Sequence, residues 1–158
     1  MGNGIYIEIA AAAFATFFFA LMRHTPKRVL YIAAILGAIG WFIYRLIEPV
    51  SSIAGYFTAA LTIGLASEIF ARIKKTPSTV ILICGIIPLV PGVMFYETMM
   101  FFVSAETDKA ITAGVNTLLS AGSLVFAVIV STLIGRHIIN PIAKNISSKR
   151  APKCDMKG

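Results

Sequence analysis

Five apolar runs, each long enough to cross a bilayer as a helix, constrain this chain more than any other feature. A hydrocarbon core of about 30 Å takes roughly 20 apolar residues at about 1.5 Å each. Apolar runs bounded by charge or proline, with Glu8, Arg45, Glu68 and Glu97 near their ends and Pro88 and Pro91 inside the fourth, give candidates at 4–22, 29–47, 53–69, 78–103 and 110–135. Composition agrees: 58% of the 158 residues are hydrophobic and 13% charged, with a mean hydropathy of +0.85. A soluble domain carries about 25% charged residues to cover its surface. An all-α, polytopic integral membrane protein is therefore expected, with one five-span domain over residues 1–146 and a basic, disordered cytoplasmic tail over 147–158, placed to touch anionic membrane lipid.

Charge sets the expected orientation, because Lys and Arg in short loops collect on the cytoplasmic side. Twelve of the fourteen basic residues fall in the first loop (Arg23, Lys27, Arg28), the third loop (Arg72, Lys74, Lys75) and the segment from Arg136 onward. The opposite side holds Arg45 and Lys109 together with Glu48, Glu97, Glu106 and Asp108. This alternation requires an odd number of spans with the N-terminus outside, and it argues against a re-entrant fourth segment, which would place the basic tail outside. Tyr6, Trp41, Tyr44 and Tyr56 then fall near the outer interface, where amphipathic rings prefer to sit. Charge follows the first apolar run, the reverse of a cleavable signal peptide, so that span is expected to remain. A bacterial inner-membrane location is the natural reading.

The net charge of +7 does not point to nucleic acid, since the basic residues flank apolar runs and no basic motif interleaved with aromatics occurs. Cys84 lies in an apolar run and Cys154 in the polar tail, at depths that forbid a disulfide. His24 and His137 lack a ligand partner at metal-binding spacing. No nucleophile elbow, phosphate loop, catalytic carboxylate pair or HExxH motif is present. Neither an enzyme nor a cofactor or metal site is expected.

The fourth run carries the distinctive segment Cys84-Gly85-Ile86-Ile87-Pro88-Leu89-Val90-Pro91-Gly92. Each proline removes a backbone donor and clashes with the carbonyl four residues earlier, so the carbonyls of Cys84 and Ile87 are expected to lose their helical partners. Backbone groups freed at membrane depth are tolerated where they meet protein, water or ligand, and broken helices of this kind form sites in transporters. Gly85, Pro88, Pro91 and Gly92 are the resulting substrate-binding candidates, with an anion seat at the start of the second half-helix, residues 92–95. A simple proline kink is the competing interpretation.

In the fifth run, Thr112, Asn116, Ser120 and Ser123 share one helical face. That face is expected to turn toward span four or a partner subunit, with Asn116, Ser120 and Ser123 as substrate contacts; helix packing through interhelical hydrogen bonds uses the same residue types. Glu68 is expected to pair with Arg72 four residues on, and Glu8 to reach the headgroups. Glu97, five residues after the Pro-Gly break, is the candidate for proton coupling, with a solvated loop position as its alternative.

At Thr76-Pro77, Ile86-Ile87-Pro88-Leu89-Val90-Pro91-Gly92, Tyr96 and Met99, with Gly37-Ala38-Ile39-Gly40 in span two, the chain resembles the threonine/serine exporter family. It is similar to the short, separately encoded subunit that corresponds to the C-terminal half of the long exporters. The resemblance implies export of small amino acids such as threonine and serine or, for two-subunit members, of C4-dicarboxylates such as succinate. It also implies a larger membrane partner supplying the complementary half; a homo-oligomer is the other route to a complete transporter. A non-transporting scaffold or assembly subunit is the rival from another class. Relatives continue the Pro-Gly pair with small residues, whereas Val93 and Met94 stand here, which argues against a wide-open loop after Gly92.

Overall fold

The computed structural model describes residues 2–23, 25–74 and 76–135. His24, His137, Cys154 and the tail assigned to 147–158 lie outside the described residues. Six α-helices follow in order: α1 Gly2–Met22, α2 Lys27–Ile47, α3 Ser52–Lys74, α4 Ser78–Ile86, α5 Gly92–Val103 and α6 Thr107–Ile134, with a 3-10 turn at Ile87–Leu89 between α4 and α5. The described residues form helices and turns with no strand.

Local chemistry sets the boundaries. Pro26 and Pro77, with extended ψ of 133° and 131°, stand immediately before α2 and α4, where a missing N–H costs nothing because the first helical donors have no internal acceptor. α3 runs to Lys74, past the apolar run that ends at residue 69, because Glu68 and Arg72 sit one turn apart and pair, with Nη2 3.5 Å from Oε2. This bears out the expected ion pair, and Arg72 also donates to the Gly135 carbonyl at 3.1 Å, tying α3 to the end of α6. α5 ends in a Schellman-type turn: the Glu106 N–H donates to Phe101 O at 3.1 Å, and Ala105 takes φ 57°.

Among the described residues, four helices are long and apolar enough to cross a membrane, and α4 with α5 makes a fifth crossing if the pair is one span, bent by 45°. A bend of that size leaves both halves advancing in the same general direction, whereas a re-entrant hairpin requires a reversal. α3 is central, packed on α2 and α6; α1 lies on α2, α5 on α6, and α4 sits against α2 and α3. The core joins Tyr44 of α2, Tyr56, Ala59, Ala60 and Ile63 of α3, Leu89 at the break, and Leu124 and Ala127 of α6. Large apolar side chains such as Phe14, Phe18, Leu118 and Phe126 point outward, as the lipid-facing surface of a membrane bundle requires.

Small residues set the helix spacing. Ile63 reaches the glycines of two neighbours: a Cβ on Gly40 would meet its Cδ1 at 2.3 Å, and one on Gly85 its Cγ2 at 2.9 Å. Close backbone approach of this kind substitutes for a hydrophobic driving force that lipid does not provide.

Candidate functional site

The break begins where Pro88 enters the 3-10 turn and ends where Gly92 starts α5. The Ile87 carbonyl does not lose its partner: it accepts from the Val90 N–H at 3.2 Å. Pro91 deletes the donor four residues on, and the tighter turn brings the donor three residues on into its place. Pro91 itself, at φ −74° and ψ 57°, centres an inverse γ-turn in which the Gly92 N–H donates to Val90 O at 2.7 Å. Of the two carbonyls expected to be free, that of Ile87 is thus taken up within the break. What remains open is the start of α5, where the Phe95 N–H is the one that reaches back, to Pro91 O at 3.2 Å, and no side chain caps the helix. α5 starts at Gly92 itself, so no open loop follows it.

Beside the break lies a cavity of about 450 Å³. Pro88, Pro91, Gly92, Val93 and Met94 form one wall, and Glu97 of α5 lines it one turn further on. The opposite wall is polar, built by Glu8 of α1, by Trp41, Tyr44 and Arg45 of α2, by Glu48 just after α2, and by Tyr56 of α3.

The polar wall is a connected network. Arg45 Nε stands 2.8 Å from Glu8 Oε2, and its Nη2 donates to Glu8 Oε1 at 3.3 Å. The same guanidinium pairs through Nη1 with Glu48 Oε2. Trp41 Nε1–H donates to Glu8 Oε2 at 3.3 Å, and Tyr44 OH to Glu48 Oε1 at 3.3 Å. Trp41, Tyr44 and Tyr56 form an aromatic row, with ring centroids 5.4 and 4.5 Å apart. Arg45, Glu8 and Glu48 keep 33%, 38% and 32% of their side-chain surface exposed, so a solute entering the cavity can reach them. Three carboxylates and one guanidinium line the space. Such a wall receives cationic and zwitterionic solutes more readily than dianions.

The structure brings together Pro88, Pro91, Gly92 and Glu97 of the residues singled out in sequence, and leaves the others elsewhere. Gly85 is a helix-contact glycine, buried between α4, Ile63 and Leu36. Asn116 is exposed and lines a separate depression with Phe101, Asp108, Lys109 and Thr112. Ser120 is buried, and Ser123 donates to Ile53 O at 3.2 Å and Ser120 O at 2.8 Å, so both belong to the α3–α6 contact.

The inward polar side of α6 is Thr117, Ser120 and Ser131 among Ala110, Leu124 and Ala127. Its seam is rotated from the expected stripe because Thr117 meets Thr98 of α5 at 3.2 Å and Ser131 meets Gly64 of α3. Sequence reasoning missed Arg45 and Glu48 as site residues and sent Glu8 to the headgroups. The available signal was an arginine inside the end of a span on the otherwise acidic side, with a glutamate three positions on. Among the described residues no group of His, Cys, Asp and Glu is placed to hold a metal ion.

The profile of the threonine/serine exporter family, ThrE, matches residues 8–134. The chain belongs to the threonine/serine exporter family. The matched residues run from Glu8 of the cavity to the last residue of α6 and include the whole break. The chain is also similar to a threonine/serine exporter of Corynebacterium glutamicum, 27% identical over 134 residues that make up 84% of this chain. It spans about a quarter of that relative's length, 26%. No solved structure matches. The threonine/serine exporters are a transporter family, not an enzyme family, in keeping with the lack of catalytic motifs in the sequence.

Proposed function

We propose that the chain is a subunit of an exporter of small amino acids of the threonine and serine type, and that the cavity beside the break in α4–α5 receives the substrate. The observation that carries this reading is the convergence of the Pro88–Pro91–Gly92 break and the Glu8–Arg45–Glu48 network on one cavity within the family-matched residues. Arg45 supplies the carboxylate partner, the uncapped start of α5 adds a favourable dipole end, and Glu97 stands where an ammonium group or a coupling proton can be held.

C4-dicarboxylates are the second substrate class. Three carboxylates against one guanidinium favour a zwitterion over a dianion, and that charge count supports the amino-acid reading. The basic loops support an N-terminus outside and a cytoplasmic C-terminus in a bacterial inner membrane.

A larger membrane subunit completes the transporter in this proposal. Asn116 supports it, an amide left exposed on α6, where hydrocarbon would leave its hydrogen bonds unmet. The test is efflux of preloaded threonine and of succinate from cells expressing the chain, the complementary subunit, or both. Threonine efflux that requires both chains is the expected result. Succinate efflux alone would reassign the substrate, and no efflux of either would leave the scaffold role.

A further inference from the structure

α1 is held against α2 in two different ways along its length. At its middle, Thr16 is fully buried and fits so closely on Gly37 that a Cβ there would stand 2.2 Å from Thr16 Oγ1. Ala12, Ala20 and Ala33 complete a seam of small buried residues. Toward the cavity the seam stops. Residues 4–7 are exposed, and an open depression of about 280 Å³, lined by Glu8, Ala11, Ala12, Ala15, Trp41 and Pro88, runs beside this end of α1. The polar contacts that cross from α1 to α2 here are those of Glu8, to Arg45 and to Trp41. One carboxylate therefore supplies the polar tie of a helix end whose first residues, 4–7, are exposed, with the cavity on one side of it and the open depression on the other.

The two carboxylates on Arg45 are not equivalent. Glu48 follows Arg45 by three residues and also receives the Tyr44 hydroxyl, so it stays with α2. Glu8 comes from another helix. We propose, on the reading that this cavity receives the substrate, that Arg45 is a carboxylate-exchange latch. The substrate carboxylate takes the place of Glu8 on the guanidinium, and the first turns of α1 swing away about the Thr16–Gly37 contact. Exchanging one carboxylate for another keeps the fork of the guanidinium doubly paired, so the step conserves charge-assisted hydrogen bonds while breaking the pin on α1. The freed Glu8 then faces the cavity as a third carboxylate beside the bound ammonium group.

Trp41 is the only tryptophan of the chain and donates to Glu8, so its emission reports the latch directly. The full-length chain in lipid vesicles is titrated with L-threonine and with L-threoninol, which keeps the amine and hydroxyl and lacks the carboxylate. Threonine is expected to shift the emission and threoninol to leave it unchanged. Arg45→Gln removes the shift, and Glu8→Gln, with nothing to displace, binds threonine about fivefold more tightly.

A readout that needs no substrate is the reaction of Ala11→Cys with a water-soluble maleimide in a Cys154→Ser background, Cys84 being buried. Glu8→Gln is expected to speed it about fivefold and Glu48→Gln to leave it unmoved. Labelling indifferent to Glu8→Gln, or equal shifts from threonine and threoninol, overturns the latch. Labelling accelerated by Glu8→Gln with no response to threonine keeps the pin on α1 and overturns threonine as the ligand of the cavity.

Discussion

Gly64 of α3 lies directly against Ser131 of α6, so closely that a Cβ built on Gly64 would stand 2.0 Å from Ser131 Oγ and 2.5 Å from its Cβ. α3 and α6 form the most extensive helix pair of the bundle, and Ser131 is fully buried with its hydroxyl turned back on the Val128 carbonyl. Neither atom is the far end of a flexible chain, so the helices must part to admit a methyl group. Gly64→Ala is expected to destabilise the protein by about 1–3 kcal/mol, the usual range for overpacking. The measurement is the thermal unfolding midpoint in detergent. Adding Ser131→Gly recovers most of the loss, less about 1 kcal/mol for a glycine inside a helix.

The guanidinium of Arg45 is the cation shared by Glu8 and Glu48. Arg45→Ala leaves two half-buried carboxylates side by side on the polar wall of the cavity without their shared cation, and removes the partner proposed for a substrate carboxylate. Threonine efflux from preloaded cells is expected to fall more than tenfold. Arg45→Lys keeps the charge and loses the fork that holds two carboxylates at once, and is expected to retain an intermediate rate. Equal efflux from Arg45→Lys and the parent would show that charge alone suffices there.

Ala105 occupies the left-handed region at φ 57°, where its Cβ crowds the backbone, and it does so to close the turn between α5 and α6. Glycine takes this conformation without that penalty. Ala105→Gly is expected to stabilise the protein by about 0.5–1 kcal/mol in the same unfolding assay, since the relief in the folded state exceeds the added freedom of the unfolded chain.

The spans were legible because hydropathy acts over about 20 residues and a charge or proline marks each end: α1 and α2 reach from residues 2 and 27 to the expected ends at 22 and 47. The break at Pro88 and Pro91 was legible for an equally local reason, the missing donors. How its carbonyls are re-satisfied was not, because that depends on whether the chain tightens or opens at that point. The Glu8–Arg45 contact joins residues 37 apart in sequence. It depends on how far α1 and α2 slide past each other, which the Thr16–Gly37 fit decides and no periodicity records. The polar stripe of α6 is divided in the structure: Ser120 and Ser123 turn to the α3 contact, while Thr112 and Asn116 stay exposed. A helical wheel shows that Thr112, Asn116, Ser120 and Ser123 share a face, but the buried seam is chosen by where Gly64 and Thr98 offer room for Ser131 and Thr117.

Pro88 and Pro91 together decide whether the cavity exists. Pro88 lines both the cavity and the open depression beside Glu8, and Pro91 forms the γ-turn that redirects the chain by 45° into α5. With alanine at both positions the N–H donors return, the carbonyls of residues 84 and 87 can accept from residues 88 and 91, and α4 can continue as one straight helix into α5. The gain per restored helical position is large, since proline in a helix interior costs about 3 kcal/mol relative to alanine. The double substitution is therefore expected to leave membrane insertion and unfolding temperature intact or improved. It should abolish threonine efflux, because straightening removes the wall that Val93, Met94 and Glu97 present to Arg45. Efflux at the parental rate from a well-inserted Pro88→Ala/Pro91→Ala variant would show that the break is a packing kink and would remove it from the transport path.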